Sequence, residues 1–126
     1  MAHGLTRKFL SYLNKKNEPT GHVRIAADEA GIKVDSGGGW SSVIPWGQIT
    51  RIVAFKRDVY SHDLICMLIE TTGNSVMELN ESMPGWTELV NELEIRLPSA
   101  KPHTDWFTEV AFPAFALSPT DVFVRR

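Results

Sequence analysis

Between residues 22 and 79 the chain breaks into six short β-like runs, and no gap between them is long enough for a crossover. The runs cover residues 22–27, 31–35, 42–46, 48–57, 63–71 and 75–79, and the separators are turn material such as Asp28-Glu29-Ala30 and Thr72-Gly73-Asn74. A parallel neighbour needs a connection of a dozen or more residues, so these strands are expected to run as an antiparallel meander. In the fifth run, Leu64, Cys66 and Leu68 fall on one face and Ile65, Met67 and Ile69 on the other. Both faces are apolar, which predicts a strand covered on both sides.

Two helices flank the strand region. Leu5, Phe9, Tyr12 and Leu13 form one apolar stripe, so a short helix is expected within residues 5–16, with Arg7, Lys8, Lys15 and Lys16 mostly on its wet side. After the strands, Trp86, Leu89, Val90, Leu93 and Leu97 recur at helical spacing. The spacing predicts a helix over 83–97, capped by Ser82, with Pro84 in its first turn, Trp86 and Leu93 facing inward, and Pro98 as its stop.

The last segment contains Trp106, Phe107, Phe112, Phe115 and Phe123, while Pro102, Pro113 and Pro119 forbid one long helix. A free tail with this composition would expose large apolar areas to water, so it is expected to wrap the outside of the domain or meet a partner. The predicted organisation is an N-terminal helix and linker over 1–20, a β domain over 21–98 and an aromatic extension over 99–126.

Six or seven antiparallel strands followed by an amphipathic helix resemble the pleckstrin-homology (PH) order of elements. The stretch from Ser42 to Ile52, with Ile44-Pro45-Trp46 followed by Ile49 and Ile52, is similar to a strand pair of bacterial PH-like and GRAM-like domains. Over residues 22–97 this resemblance implies a mainly β fold, a PH-like antiparallel barrel or sandwich capped by a C-terminal helix. It brings no established activity. Lipid-binding PH domains hold phosphates with Lys and Arg around the loop joining their first two strands. Here that loop presents Asp28 and Glu29, flanked by Arg24 and Lys33, which argues against phosphoinositide binding.

No other motif gathers a chemistry. Ser61-His62-Asp63 holds the residue types of a hydrolytic triad, but adjacent residues of an extended chain point to opposite sides. Cys66, the one cysteine, lies in an apolar strand and reads as a buried thiol. The four histidines have no metal-ligand spacing, so neither a metal nor a cofactor is expected. Gly37-Gly38-Gly39-Trp40 lacks the ending of a phosphate loop, and a net charge of -2 gives no pull toward nucleic acid. With no long apolar run at its start and none long enough to span a bilayer, the chain is expected to be cytoplasmic, without a transmembrane segment.

The expected function is therefore a non-enzymatic binding module for a protein partner or for self-association, with Trp106, Phe107, Phe112, Phe115 and Phe123 at the contact. An anionic-lipid surface binder working through the N-terminal lysines and arginine is one alternative. An immunity-type inhibitor of a cognate protein is another.

Overall fold

The computed structural model describes residues 23–36, 41–59, 62–112 and 119–125. Its strands are β1 (Arg24–Asp28), β2 (Gly31–Asp35), β3 (Ser41–Ile44), β4 (Ile49–Val59), β5 (His62–Thr71), β6 (Val76–Asn80) and β7 (Thr120–Val124). Its helices are α1 (Trp86–Arg96) and α2 (His103–Ala111), and a short 3-10 turn, Trp46–Gln48, leads into β4. The expected helix at the N-terminus lies outside the described residues.

The strands form two antiparallel sheets, ordered β1-β2-β3 and β6-β5-β4-β7, and they do not close into a barrel. Their principal core lies among the inner faces of the sheets, α1 and α2. Ile32, Ile49, Ile52, Met67, Leu79 and Leu93 are fully buried there. On the opposite face of the four-stranded sheet, Val53, Phe55, Cys66 and Leu68 form a second buried cluster, with Leu64 and Val76 packed at its margin. Residues 65–69 of β5 are thus buried on both faces, as its double apolar pattern requires. Beside that cluster Arg57 makes a two-point bond to Glu78, Nε and Nη2 each donating at 2.8 Å, and its guanidinium lies 5.3 Å from the Phe55 ring centre.

Two expectations need correction. The helix over 83–97 begins later, at Trp86. Ser82 does not cap it: the Ser82 N–H donates to Asn80 Oδ1 (2.9 Å), and the Pro84 carbonyl accepts the Ile25 N–H of β1 (2.8 Å). Gly85 follows with φ +96°, a left-handed conformation outside the helix, and its backbone lies so close to the Ile25 carbonyl that a Cβ would collide with it. Docking onto β1 therefore overrides the local helix-start signals.

The second correction concerns the order of elements. The helix expected to end the fold is followed by α2 and by β7, and β7 pairs with the outer side of β4 instead of wrapping the exterior. Phe123 lies opposite Ile52 and Asp121 opposite Val53, and the irregularity between Ile52 and Val53 leaves Val122 as an extra residue, also buried. Asp121 pairs with Arg51 at 2.7 Å. Arg125 locks the end of the strand by donating to the carbonyls of Ile49 (2.8 Å) and Trp46 (2.9 Å).

Candidate protein-contact surface

α2 is nine residues long and is fixed at both ends by other elements. Pro102 precedes it with φ -58°, already suited to a helix start, and its carbonyl accepts the Asp105 N–H at 3.0 Å. The His103 N–H, one of the donors a helix leaves unpaired at its start, meets the Glu94 carboxylate of α1 at 3.1 Å. At the far end, Lys56 of β4 donates from Nζ to the Ala111 carbonyl at 2.9 Å, so a cation sits at the negative end of the helix dipole. Lys56 is 3% exposed and also pairs with Asp63 of β5 at 3.3 Å. A buried lysine between two strands thereby holds the helix down.

This mounting decides the fate of the five aromatic side chains expected at a contact. Trp106 and Phe123 are core residues, packed with Val110, Val122 and Leu97. Trp106 and Phe123, expected at the contact, are turned inward and present little surface, 1% and 5% exposed. Phe107 and Phe112 are 40% and 71% exposed. Phe115 lies outside the described residues.

The His103 ring meets Trp106 edge-on at 4.9 Å between centres and Phe107 at 5.3 Å, so Phe107 is braced rather than loose. Phe112 adopts φ -124° and ψ 143°, the extended conformation imposed on a residue that precedes a proline. From Trp86 to Ala111 the chain carries five carboxylates, Glu88, Glu92, Glu94, Asp105 and Glu109, against the two cations Arg96 and Lys101. The segment that carries the exposed phenylalanines is thus net acidic, although Glu92 is paired with Arg96 and Glu109 with Lys101.

The other sequence candidates are dispersed. Of the Ser61-His62-Asp63 trio, Ser61 and the His62 side chain lie outside the described residues, and Asp63 is engaged by Lys56. Burial pushes the Cys66 thiol far above its ordinary pKa, with Glu78 adding to the effect, so the sulfur is neutral and held against the Leu64 carbonyl at 3.5 Å. Lys33 donates to Asp28 at 2.8 Å. That hydrogen bond, reinforced by the Ala30 N–H, lowers the Asp28 pKa, and the same bond raises that of Lys33. The cation beside the first hairpin is therefore spent on its own loop. Gly37-Gly38-Gly39-Trp40 lies outside the described residues.

Two clefts remain. One, of about 490 Å³, lies between Trp46, Arg96, Ser99, Phe123 and Arg125, but Arg96 is paired with Glu92 and Arg125 with two carbonyls. The other, of about 320 Å³, opens between β3 and β6. Among the described residues there is no cluster of three His, Cys, Asp or Glu side chains able to hold a metal, and no helix long and apolar enough to cross a membrane. Compared with models of protein families, with curated proteins and with solved structures, the chain gives no significant match.

Proposed function

We propose that this chain is a non-enzymatic binding module that meets a protein partner through the outer surface of α2. The observation that carries the reading is the exposure of Phe107 on a helix held at both ends, and of Phe112 just beyond that helix. Burying a phenylalanine side chain is worth about 1.5–3 kcal/mol, so the pair can act as an anchor. A stable interface needs roughly 1,000 Å² or more, so the partner must also cover polar surface around the pair, Asp105 and Glu109 of α2 included. Charge complementarity selects a partner with an apolar pocket and a basic rim. An inhibitor of a basic cognate protein is one form of this reading. The PH-like relationship belongs to the same proposal: two antiparallel sheets with α1 packed on β1 support it, and the strand that follows the helices departs from it.

The test compares the natural chain with a Phe107→Ser/Phe112→Ser double variant. Phe112 is mostly and Phe107 partly exposed, so the variant should fold, with a loss of about 1 kcal/mol from the His103 contact and helix propensity. The natural chain should retain a basic protein from its source, and the variant should lose it. Retention of the same protein by both would refute the assignment of the surface. Light scattering reads self-association: a dimer that falls to monomer in the double variant would make a second copy the partner.

A further inference from the structure

We infer that the cleft between β3 and β6 is a docking site for an extended, uncharged peptide segment of a partner protein, which would enter as an added strand between the two sheets. The inference rests on the binding-module reading but uses a different surface.

It starts from the phase of the backbone hydrogen bonds. In an antiparallel pair, residues alternate between those bonded to the neighbouring strand and those whose N–H and C=O point away from it. Asp28 and Gly31 close the two-residue hairpin between β1 and β2, so Lys33 bonds toward β1 while Ile32 and Val34 bond toward Ile44 and Ser42 of β3. The main-chain groups of Val43 therefore point out from the sheet. On β5, the bonds from Glu81 N–H to the Ile65 carbonyl and from Thr71 N–H to the Ser75 carbonyl, each 3.0 Å, set the odd-numbered residues as the bonded pairs. Val76 of β6 is consequently turned outward.

Each of the other two outer edges already holds a main-chain bond to a neighbouring segment. β1 receives the Pro84 carbonyl on its Ile25 N–H, and β7 gives its Val122 carbonyl to the Lys101 N–H, both at 2.8 Å. At Val43 and Val76 no described residue supplies such a bond. Both residues line the same 320 Å³ cleft, and neither β3 nor β6 carries the lysine or proline that commonly protects an edge.

The lining states what would fit. Val43, Ile44, Ile69, Val76 and Met77 are apolar, Ser42, Thr71, Ser75 and Gln48 are polar and uncharged, and no charged side chain is among them. The Ser42 Oγ is buried without a hydrogen-bond partner, so a peptide N–H or C=O reaching it would satisfy a group now left short. Main-chain bonds to Val43 and Val76 would give affinity. Alternating neutral side chains, one set turned to Ile44, Ile69 and Met77, would give selectivity.

The test uses a displayed library of random nine-residue peptides and the full chain labelled with ¹⁵N. Selected peptides should be neutral and rich in β-branched residues at alternate positions. Their synthetic forms should shift the Val43 and Val76 amide signals and slow their hydrogen exchange. N-methylation of a peptide amide facing either strand should weaken binding about tenfold, the equivalent of one main-chain hydrogen bond of about 1.4 kcal/mol. Val43→Pro removes an outward N–H and should abolish binding. The N-methylated peptides on the unaltered chain give the same answer should that variant misfold. Failure to select any peptide, or selected peptides that shift α2 signals while Val43 and Val76 stay unmoved, would overturn the inference. So would tolerance of N-methylation at every position. Phe107→Ser/Phe112→Ser should leave peptide binding intact, which separates failure here from failure of the α2 surface.

Discussion

Replacing Lys56 by Met keeps the length and apolar stem of the side chain and deletes its charge. Asp63, whose side chain is 17% exposed, then loses its cation, and the last carbonyl of α2 loses its donor. Breaking a buried ion pair by removing one partner costs about 3–5 kcal/mol, because the remaining charge is left in a poor solvent. The residual exposure of Asp63 places this case near the lower end, about 3 kcal/mol. In urea unfolding, where m for a small domain is about 1–3 kcal/mol/M, the midpoint should fall by about 1–3 M with m unchanged. Adding Asp63→Asn to Lys56→Met removes the carboxylate charge and should recover part of the loss, and the double-mutant cycle then gives the coupling directly. Hydrogen exchange should quicken over His103–Ala111 more than over β6, since the lysine holds that helix. A cost below about 1 kcal/mol, or additive single and double variants, would refute the picture of Lys56 as a buried clamp.

Gly85→Ala places a Cβ against the Ile25 carbonyl at a left-handed φ, and should destabilise by about 2–4 kcal/mol from combined strain and overpacking, read by the same urea assay. A loss under 0.5 kcal/mol would mean the α1 start is not pinned to β1. Cys66 should resist alkylation in the folded chain and react at the rate of unfolding, so fast labelling under native conditions would contradict its burial. Its raised pKa also has a pH consequence. The native thiol keeps its proton while the unfolded thiol begins to lose it near pH 8.5, so stability should fall above that pH by about 1.4 kcal/mol per unit. The difference between the natural chain and Cys66→Val isolates this contribution, and a flat difference from pH 8.5 to 10 would refute it.

What could be read from the sequence was whatever local spacing determines. The six strands from Arg24 to Asn80 follow from separators too short for crossovers, and the two-sided burial of β5 follows from its uninterrupted apolar run. The α1 stripe was equally plain, since Leu89, Val90, Leu93 and Leu97 are all buried. Its start was not, because the Ile25 carbonyl that excludes a side chain at Gly85 comes from a strand 60 residues away in sequence. α2 offered two inward positions, Trp106 and Val110, between two prolines, too few for a periodic signal. The run Val122-Phe123-Val124 is β-branched and aromatic but too short to mark a strand by itself, and nothing local names β4 as its neighbour. Lys56 carries no local signal in the sequence, since its role depends on the meeting of Asp63 and Ala111.

The division of the aromatic residues follows from the same geometry. With Trp106 and Val110 turned inward one helical turn apart, Phe107 stands about 100° around the helix from Trp106, at the margin of the buried face, where His103 lies one turn before it. Phe112 falls at the helix end, in the extended conformation its following proline demands, and is the most exposed large apolar side chain among the described residues. Neither exposure is a packing accident, because Glu94 at one end and Lys56 at the other fix where the helix sits. Phe107, braced in this way, gives up little conformational entropy on association, and ordering costs are what most often cancel the gain from buried area. With Trp106 and Phe123 buried, Phe107 and Phe112 are the two expected contact residues that the described structure leaves exposed.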